Sequence, residues 1–474
     1  MSAPGPTSGW RARVDTAEMA TRPLTTGRGR LAGFAAVVLG LASLTRAAAP
    51  AAPAALDVAP VWSAHPVGFA LLTAGDRQLV GFYDADRRLT LAVRSLDERT
   101  WTFVPLPRTT GWDSHNSIAM AVDRDGFVHL AADMHCSPLV YFRSRHPLDE
   151  AFTGESFEPL HRMTGDREIH VTYPVFMHDG NGDLVFMYRH GSSGDGDQIL
   201  DRYDATARAW RRLLDEPLTS GRRGEETMNA YFEGPVRGPD GFFHLAWVWR
   251  DTPDCDTCHD VCYARSRDLV HWERSDGTPL DLPITADTCE VVDPVPPGQG
   301  LINGLVRIGF DSRNRPVLSY HAYDEAGRSQ IRSARLEDGL WRIRQTSQWS
   351  HRWEFGGGGT IDFDVGIGPV EVTDDGTLVQ RSRSAAGSGT WRLDPASLVA
   401  TGTAEGSWHR PPALRRVESA WPGMEVRWQN DSGGDTAGRD RFLLRWETLG
   451  PNRDRPRPEP LPPPSMLRVI DVDG

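Results

Sequence analysis

Two histidines, two tyrosines and an arginine are the residues of this chain whose types and spacing suit chemistry. His115 stands in Trp112-Asp113-Ser114-His115-Asn116 and His135 in Asp133-Met134-His135. Tyr173 follows in Thr172-Tyr173-Pro174, Arg189 in Tyr188-Arg189-His190, and Tyr231 in Met228-Asn229-Ala230-Tyr231. Such a set suits removal of the proton beside a sugar carboxylate. The carboxylate charge must be neutralised, a base must reach the carbon-bound proton, and an acid must protonate the departing glycosidic oxygen. Arginine suits the first task, because its planar fork pairs with a carboxylate through two bonds and stays charged. Tyrosine is a poor base at its ordinary pKa of about 10, but an adjacent arginine favours the phenolate. Tyr173 or Tyr231 near Arg189 therefore makes chemical sense, with His115 and His135 as carboxylate donor and as acid or base.

These residues need a scaffold that brings distant segments together, and a repeat supplies one. Asp125-Gly126-Phe127-Val128-His129-Leu130-Ala131 recurs as Asp240-Gly241-Phe242-Phe243-His244-Leu245-Ala246. Weaker copies begin at Gly180, Asn314 and Asp375. Each is an Asp/Asn/Gly turn feeding an apolar or alternating run, which is a hairpin signal. A second marker, an Asp followed by a Trp, returns at Asp97 to Trp101, Asp204 to Trp210 and Asp268 to Trp272. It resembles a degenerate Asp-box turn. Together the markers predict an all-β, seven-bladed β-propeller with units near 78–107, 115–152, 172–214, 228–277, 302–349, 361–402 and 415–449. Strands near Val61 to Leu72, or the tail from Pro462 to Val472, would close the ring. The Pro-rich segment 451–464 reads as an ordered surface strap.

After each turn the strand reaches a polar residue at a similar offset: Asp133 and His135, Arg189 and His190, Arg250, His321 and Tyr323, then Arg381 and Arg383. Equivalent strand positions in a propeller face one mouth, so a ring of His, Tyr and Arg is expected there. The repeated His129 and His244 are expected to be structural. Taken singly, His135 could as well be structural, Tyr173 reads sooner as ordinary packing and Arg189 could be a surface ion pair; the case rests on the set.

Composition narrows the partners. The 474 residues carry a formal charge of -12, which argues against a nucleic-acid binder. All 52 basic side chains are arginine, so lysine chemistry is excluded. An acidic polymer could bind only where arginines gather. The N-terminus has an arginine-bearing lead (Arg22 to Arg30), an apolar run from Leu31 to Leu44 and an Ala/Pro tract. It reads as a secretory signal, too short for a confident membrane span. Residues 1–55 are therefore expected to be signal and lead, and 56–474 one propeller domain, secreted and monomeric, with no membrane association after cleavage.

The same segments resemble the BNR-repeat propeller family that contains ulvan lyases, L-rhamnose-α-1,4-D-glucuronate lyases and related α-L-rhamnosidases. The likeness covers Ser114-His115-Asn116, Asp133-Met134-His135, Tyr173-Pro174, Tyr188-Arg189-His190-Gly191, Met228 to Pro235, His259-Asp260, Cys262 to Ser266 and Gly356 to Thr360. It implies His115, His135, Tyr173, Arg189 and Tyr231 as the catalytic set. Arg189 and His115 would neutralise the carboxylate, His135 and Tyr173 would move protons, and Tyr231 with Asn229 would position the sugar. Asn116, Asn229, His190, Arg250, Arg265 and His321 are the expected substrate-binding residues. The implied activity is β-elimination on a rhamnose- and uronate-containing glycan. An α-L-rhamnosidase and a non-catalytic glycan-binding propeller are the alternatives. A hydrolase usually needs two flanking carboxylic acids, and Asp113, Asp133 and Glu233 form no evident pair. A sialidase ranks lower, for want of an early Arg-Ile-Pro segment.

Cys255, Cys258, Cys262 and Cys289, with His259, form a dense group. Their spacing suits a structural Zn2+, and secretion equally allows one or two disulfides. The resemblance favours zinc. No organic cofactor is expected, and Ca2+ is the other metal considered.

Overall fold

Every repeated turn of the sequence joins the first strand of a sheet to its second. Gly126, Gly182, Gly241, Asn314 and Gly376 occupy these hairpins with φ of 84°, 81°, 81°, 60° and 80°, a region in which glycine and asparagine are least strained. In three of them the aspartate at the turn's start fixes it. Oδ1 of Asp123 accepts from the amides of Asp125 and Phe127, Oδ1 of Asp179 from Asn181 and Asp183, and Oδ1 of Asp311 from Arg313 and Arg315. These are Asx-type turns, the physical content of the repeat. At the degenerate Asp-box, Asp268 Oδ1 likewise accepts from the Val270 and His271 amides while Trp272 is buried.

The computed structural model describes residues 54–148, 150–404, 412–433 and 441–472. Of the expected lead over 1–55, residues 1–53, and with them the signal segment, lie outside the described residues; Ala54 and Ala55 open a strand. The described chain is almost wholly antiparallel β-sheet, with one helical turn at Pro412–Arg415 and one 3-10 turn at Cys255–Thr257. Among the described residues no helix is long and apolar enough to cross a membrane.

Seven sheets of four or five strands, and one two-stranded hairpin, are present among the described residues. Six of the seven follow the chain, their first strands being Ala70–Ala74, Ala119–Val122, Val171–His178, Asn229–Arg237, Arg307–Phe310 and Gly366–Val372. The last five fall on the units expected from the repeat, whereas the first sheet opens at Ala70, ahead of the expected 78–107. The seventh sheet combines Met424–Asn430, Phe442–Leu449 and Ser465–Asp471 with the N-terminal strand Ala54–Val61, which pairs with Ser465–Asp471. First strands pack on one another from the first sheet to the third and from the fourth to the sixth, the third sheet meets the fourth through Asp195–Asp204, and the seventh packs against the first, so the fold is a β-propeller. Second strands are covered on both faces and read as near-continuous apolar runs: all eight residues of Phe243–Arg250 are buried.

The site follows from this frame. First strands begin, and second strands end, on the same side of the propeller. Arg189 pairs with Thr172, and Arg250 with Asn229, at these ends.

Candidate active site

The loop before the second sheet is held from three directions. Asp113 accepts the His115 amide at 2.9 Å, Tyr83 donates to the Asn116 carbonyl at 2.7 Å, and Asp454 accepts from the Ser114 amide and hydroxyl at 3.0 and 2.8 Å. Asp454 also takes the Thr360 amide and hydroxyl, so the segment after the seventh sheet's second strand ties two site loops together. Asp113 then does a second job. Its Oδ1 meets His115 Nδ1 at 2.7 Å and its Oδ2 meets His135 Nδ1 at 2.6 Å. The two imidazoles stack, with centroids 4.0 Å apart.

Backbone strain brings the remaining members in. Cys136 and Tyr173 adopt φ of 51° and 57°, a conformation costly for residues with a Cβ. The pairing of Val171–His178 with Leu184–Ser192 shifts register between Thr172 and Val175. Pro174 lies in that gap and has no amide hydrogen to donate, which suits a bulge. Bulges re-aim side chains, and here the Tyr173 ring lies 5.7 Å from His115 and 6.0 Å from Tyr231.

Arg189 and Arg250 flank the tyrosines. Arg189 is 1% exposed; it donates to Thr172 Oγ1 at 3.0 Å, Cys136 Sγ at 3.2 Å and Tyr231 Oη at 3.5 Å, and lies 5.0 Å from the Tyr173 ring centre. Arg250 is 7% exposed; it bonds the carbonyls of Thr252 and Pro253 and Asn303 Oδ1, and lies 5.4 Å from the Tyr231 ring centre. Among the described residues no carboxylate pairs with either guanidinium, although a buried charge ordinarily demands a partner. The cavity here, of about 150 Å³, is lined by all five expected catalytic residues and by Arg250, Ser193, Asn303, Thr360 and Phe363, and no Asp or Glu is among its described lining residues.

The protonation states follow from these neighbours. Burial works against the His135 cation, but hydrogen bonds and charge from Asp113 and Cys136 outweigh it and raise the pKa to about 9. Burial likewise opposes the Asp113 carboxylate, and the two histidines overcome it, holding its pKa well below the usual range. Cys136 drops to about 7, because His135 and Arg189 outweigh its burial. Tyr173 moves the other way: burial and Tyr231 push it up more strongly than Arg189 and Arg250 pull it down. Arginine thus favours the Tyr173 phenolate as expected, but burial and Tyr231 outweigh it and Tyr173 holds its proton more tightly than a free tyrosine.

The expected substrate-binding residues divide. Arg250 lines the cavity and Asn229 lies beside it, buried with Nδ2 unpartnered. Asn116 instead bonds Thr110 within the loop. His190 packs beside His170, outside the cavity. Arg265 pairs with Glu273 and covers Phe242. His321 is buried against Trp353, its Nδ1 on the Gly300 carbonyl, and burial lowers its pKa to about 4. The offset rule fails for His190 and His321 because it counts along the strand without knowing which face or which depth the side chain takes.

The zinc expectation is also corrected. Cys255, Cys258 and Cys262 lie in three different apolar clusters, and His259 is held by Asp251 and Asp260. Cys262 and Cys289 alone among these cysteines come close, with Sγ atoms 3.6 Å apart, and all five cysteines of the chain are free thiols. Cys258 and Cys262 lie within the extended strand Cys258–Ser266 rather than in a turn, so the spacing that suits a zinc knuckle cannot converge. Among the described residues only Asp113, His115 and His135 bring metal-ligand atoms together, and those nitrogens are engaged in the short hydrogen bonds to the carboxylate. Such a mixed set does not fit Ca2+, which takes oxygen ligands.

Sequence reasoning named Asp113 without giving it a role. Its position two residues before His115 was the available signal. Asp454 carried none, since its partners Ser114 and Thr360 lie 340 and 94 residues away.

A propeller with a positively charged pocket at one end is what the fold and the site define. The chain belongs to the BNR repeat-containing family, whose model matches residues 77–349. Among solved structures it is similar to the polysaccharide lyase Uly1, with a TM-score of 0.55 and 16% identity over 86% of this chain and 90% of that one. It is also similar to a PL25 ulvan lyase, with a TM-score of 0.52 and 13% identity over 83% of this chain and 96% of that one, including a structure of that lyase bound to -[GlcA(1-4)Rha3S]-. No functionally curated protein matches the chain.

Proposed function

We propose that this protein is a secreted polysaccharide lyase that cleaves a rhamnose- and uronate-containing glycan by β-elimination. The observation that carries the reading is the pair of buried guanidiniums, Arg189 and Arg250, without carboxylate partners among the described residues, at a cavity lined by histidine and tyrosine. A substrate carboxylate supplies the missing negative charge. The ulvan lyases of similar fold, one of them holding a glucuronate-rhamnose sulfate unit, support the same class of glycan.

The chemistry then runs through this chain's own groups. Asp113 Oδ1 engages Nδ1 of His115, which leaves Nε2 as the ring nitrogen turned away from the carboxylate and available as the base. That atom takes the proton from the carbon beside the substrate carboxylate. The electron pair left behind forms the double bond to the neighbouring carbon, and the bond from that carbon to the glycosidic oxygen breaks. The departing oxygen takes the Tyr173 proton, and the phenolate so formed faces Arg189. The His135 cation, with Arg189 and Arg250, neutralises the carboxylate as charge develops. This exchanges the roles first expected for the two histidines, because His135 is the one held protonated. Hydrolysis is disfavoured, since no described lining residue supplies either of two carboxylic acids.

Incubation with ulvan and with rhamnose-capped arabinogalactan tests the reading. Elimination yields an unsaturated uronate with a new ultraviolet absorbance, which Tyr173→Phe abolishes. Released rhamnose without that absorbance would instead indicate a hydrolase, and binding without either product a non-catalytic propeller.

A further inference from the structure

The proline-rich segment after the seventh sheet's second strand reaches the site through one turn. At 452–455 the Arg455 amide donates to the Asn452 carbonyl at 3.1 Å and Asn452 Nδ2 to the Arg455 carbonyl at 2.9 Å, which closes the turn on itself. Arg453 and Asp454 inside it both take the left-handed conformation, with φ of 53° and 55°. Two successive residues with a Cβ in that region carry a cost that their surroundings must hold in place. Those surroundings are two loops of the site.

Arg453 seats the turn on the glycine-rich loop 356–360. Its amide donates to the Thr360 carbonyl at 3.2 Å, and its Nη1 to the Gly356 and Gly358 carbonyls at 2.8 and 2.9 Å. A Cβ on Gly359 would lie 2.8 Å from the Arg453 carbonyl oxygen, so the approach requires glycine there. Gly358, Gly359 and Thr360 line the cavity that His115 also lines. Asp454 then reaches from this lip to the His115 loop: Oδ1 accepts from Ser114, Oδ2 accepts from Thr360, and Oδ2 stands 3.7 Å from His115 Nδ1. Buried His65 lies 3.5 Å from Oδ1. Burial opposes the carboxylate, but His65 and the Ser114 and Thr360 donors overcome it and hold Asp454 well below the usual carboxylate range.

Two carboxylates therefore serve one imidazole. Asp113 holds the His115 ring and is shared with His135, whereas Asp454 holds the backbone beside that ring. We propose that Asp454 is a positioning residue for His115: it fixes the loop of the base to the glycine-rich lip of the cavity and so sets where Nε2 stands against the bound sugar. Its effect on turnover rests on the elimination reading; its effect on the placement of the ring does not.

Asp454→Asn in the full chain keeps the shape of the side chain and replaces an acceptor oxygen by a donor. On the polymer it should lower kcat by about 10²-fold, the scale of a reacting group misplaced by about 1 Å, with KM little changed. The His115 ring signals in NMR, assigned by their loss in His115→Gln, should move, while those of His129 and His244 stay. Ser114→Ala removes one donor and leaves the carboxylate; it should shift the same signals and lower kcat by about threefold to tenfold, the scale of one hydrogen bond. This milder variant decides the matter if thermal melting shows Asp454→Asn unfolded. His115 signals that move in a protein whose wild type cleaves no glycan would support the positioning role and remove the elimination reading alone. Folded variants with His115 signals and kcat equal to wild type would overturn the proposal.

Discussion

His129 and His244 each own a carboxylate, whereas His115 and His135 share one. The first pair is buried with both ring nitrogens satisfied: His129 meets Tyr141 Oη at 2.6 Å and Asp123 at 3.1 Å, and His244 meets Tyr263 Oη at 2.6 Å and Asp240 at 2.9 Å. Burial lowers both pKa values in spite of the aspartates. The second pair is partly open, and Asp113 engages only the Nδ1 atoms. A histidine satisfied at both ends is a structural pin between a turn and the next strand. One satisfied at a single end, beside unpaired arginines, retains an atom for chemistry.

The largest effect expected is at the open end. Arg189→Ala and Tyr173→Phe should each lower kcat/KM by about 10³-fold, the scale of a lost transition-state donor or acid, in a turnover assay on the polymer. Asp113→Asn attacks the shared carboxylate itself. It should cost about 10²-fold and bring the His135 titration, followed by NMR, down from about 9 toward 6.5. Unchanged titration would show that Asp113 does not set the charge of the pair.

The pinned histidines should behave in the opposite way. His129→Phe or His244→Phe leaves a turn aspartate and a tyrosine without their partner, at a cost of about 1–3 kcal/mol in denaturant unfolding, with kcat/KM unchanged. The smallest effect is in the pH dependence of stability. The His135 contribution is complete below 6.5 and is lost as pH rises through about 9, because its folded pKa is raised. His129 and His244 have lowered folded pKa values, so they favour the fold above 6.5 and weaken it as pH falls below that value. Melting temperatures across the range should therefore decline on both flanks, and Asp113→Asn should flatten the alkaline one.

Much of this contrast was legible in the sequence. His129 and His244 recur at one position of a repeat, which marks them as scaffold, and His115 and Tyr173 lie outside the repeated segments. The turn chemistry likewise predicted the hairpins, since an aspartate and a glycine two or three residues apart act locally. What failed was any inference that needed depth or direction. Asn116 and His321 are polar residues turned into the protein, and the cysteines were spaced for zinc along a strand that separates them.

The sequence by itself determined the propeller, because turn type and apolar runs are short-range properties repeated along the chain, and it named five candidate residues that the fold brings to one cavity. Only the tertiary structure decided that Asp113 joins the two histidines, that Arg189 and Arg250 meet no carboxylate among the described residues, and that Tyr173 keeps its proton. Those properties depend on burial and on which charges lie within a few ångströms, and the neighbours concerned come from separate sheets whose closeness no local pattern records.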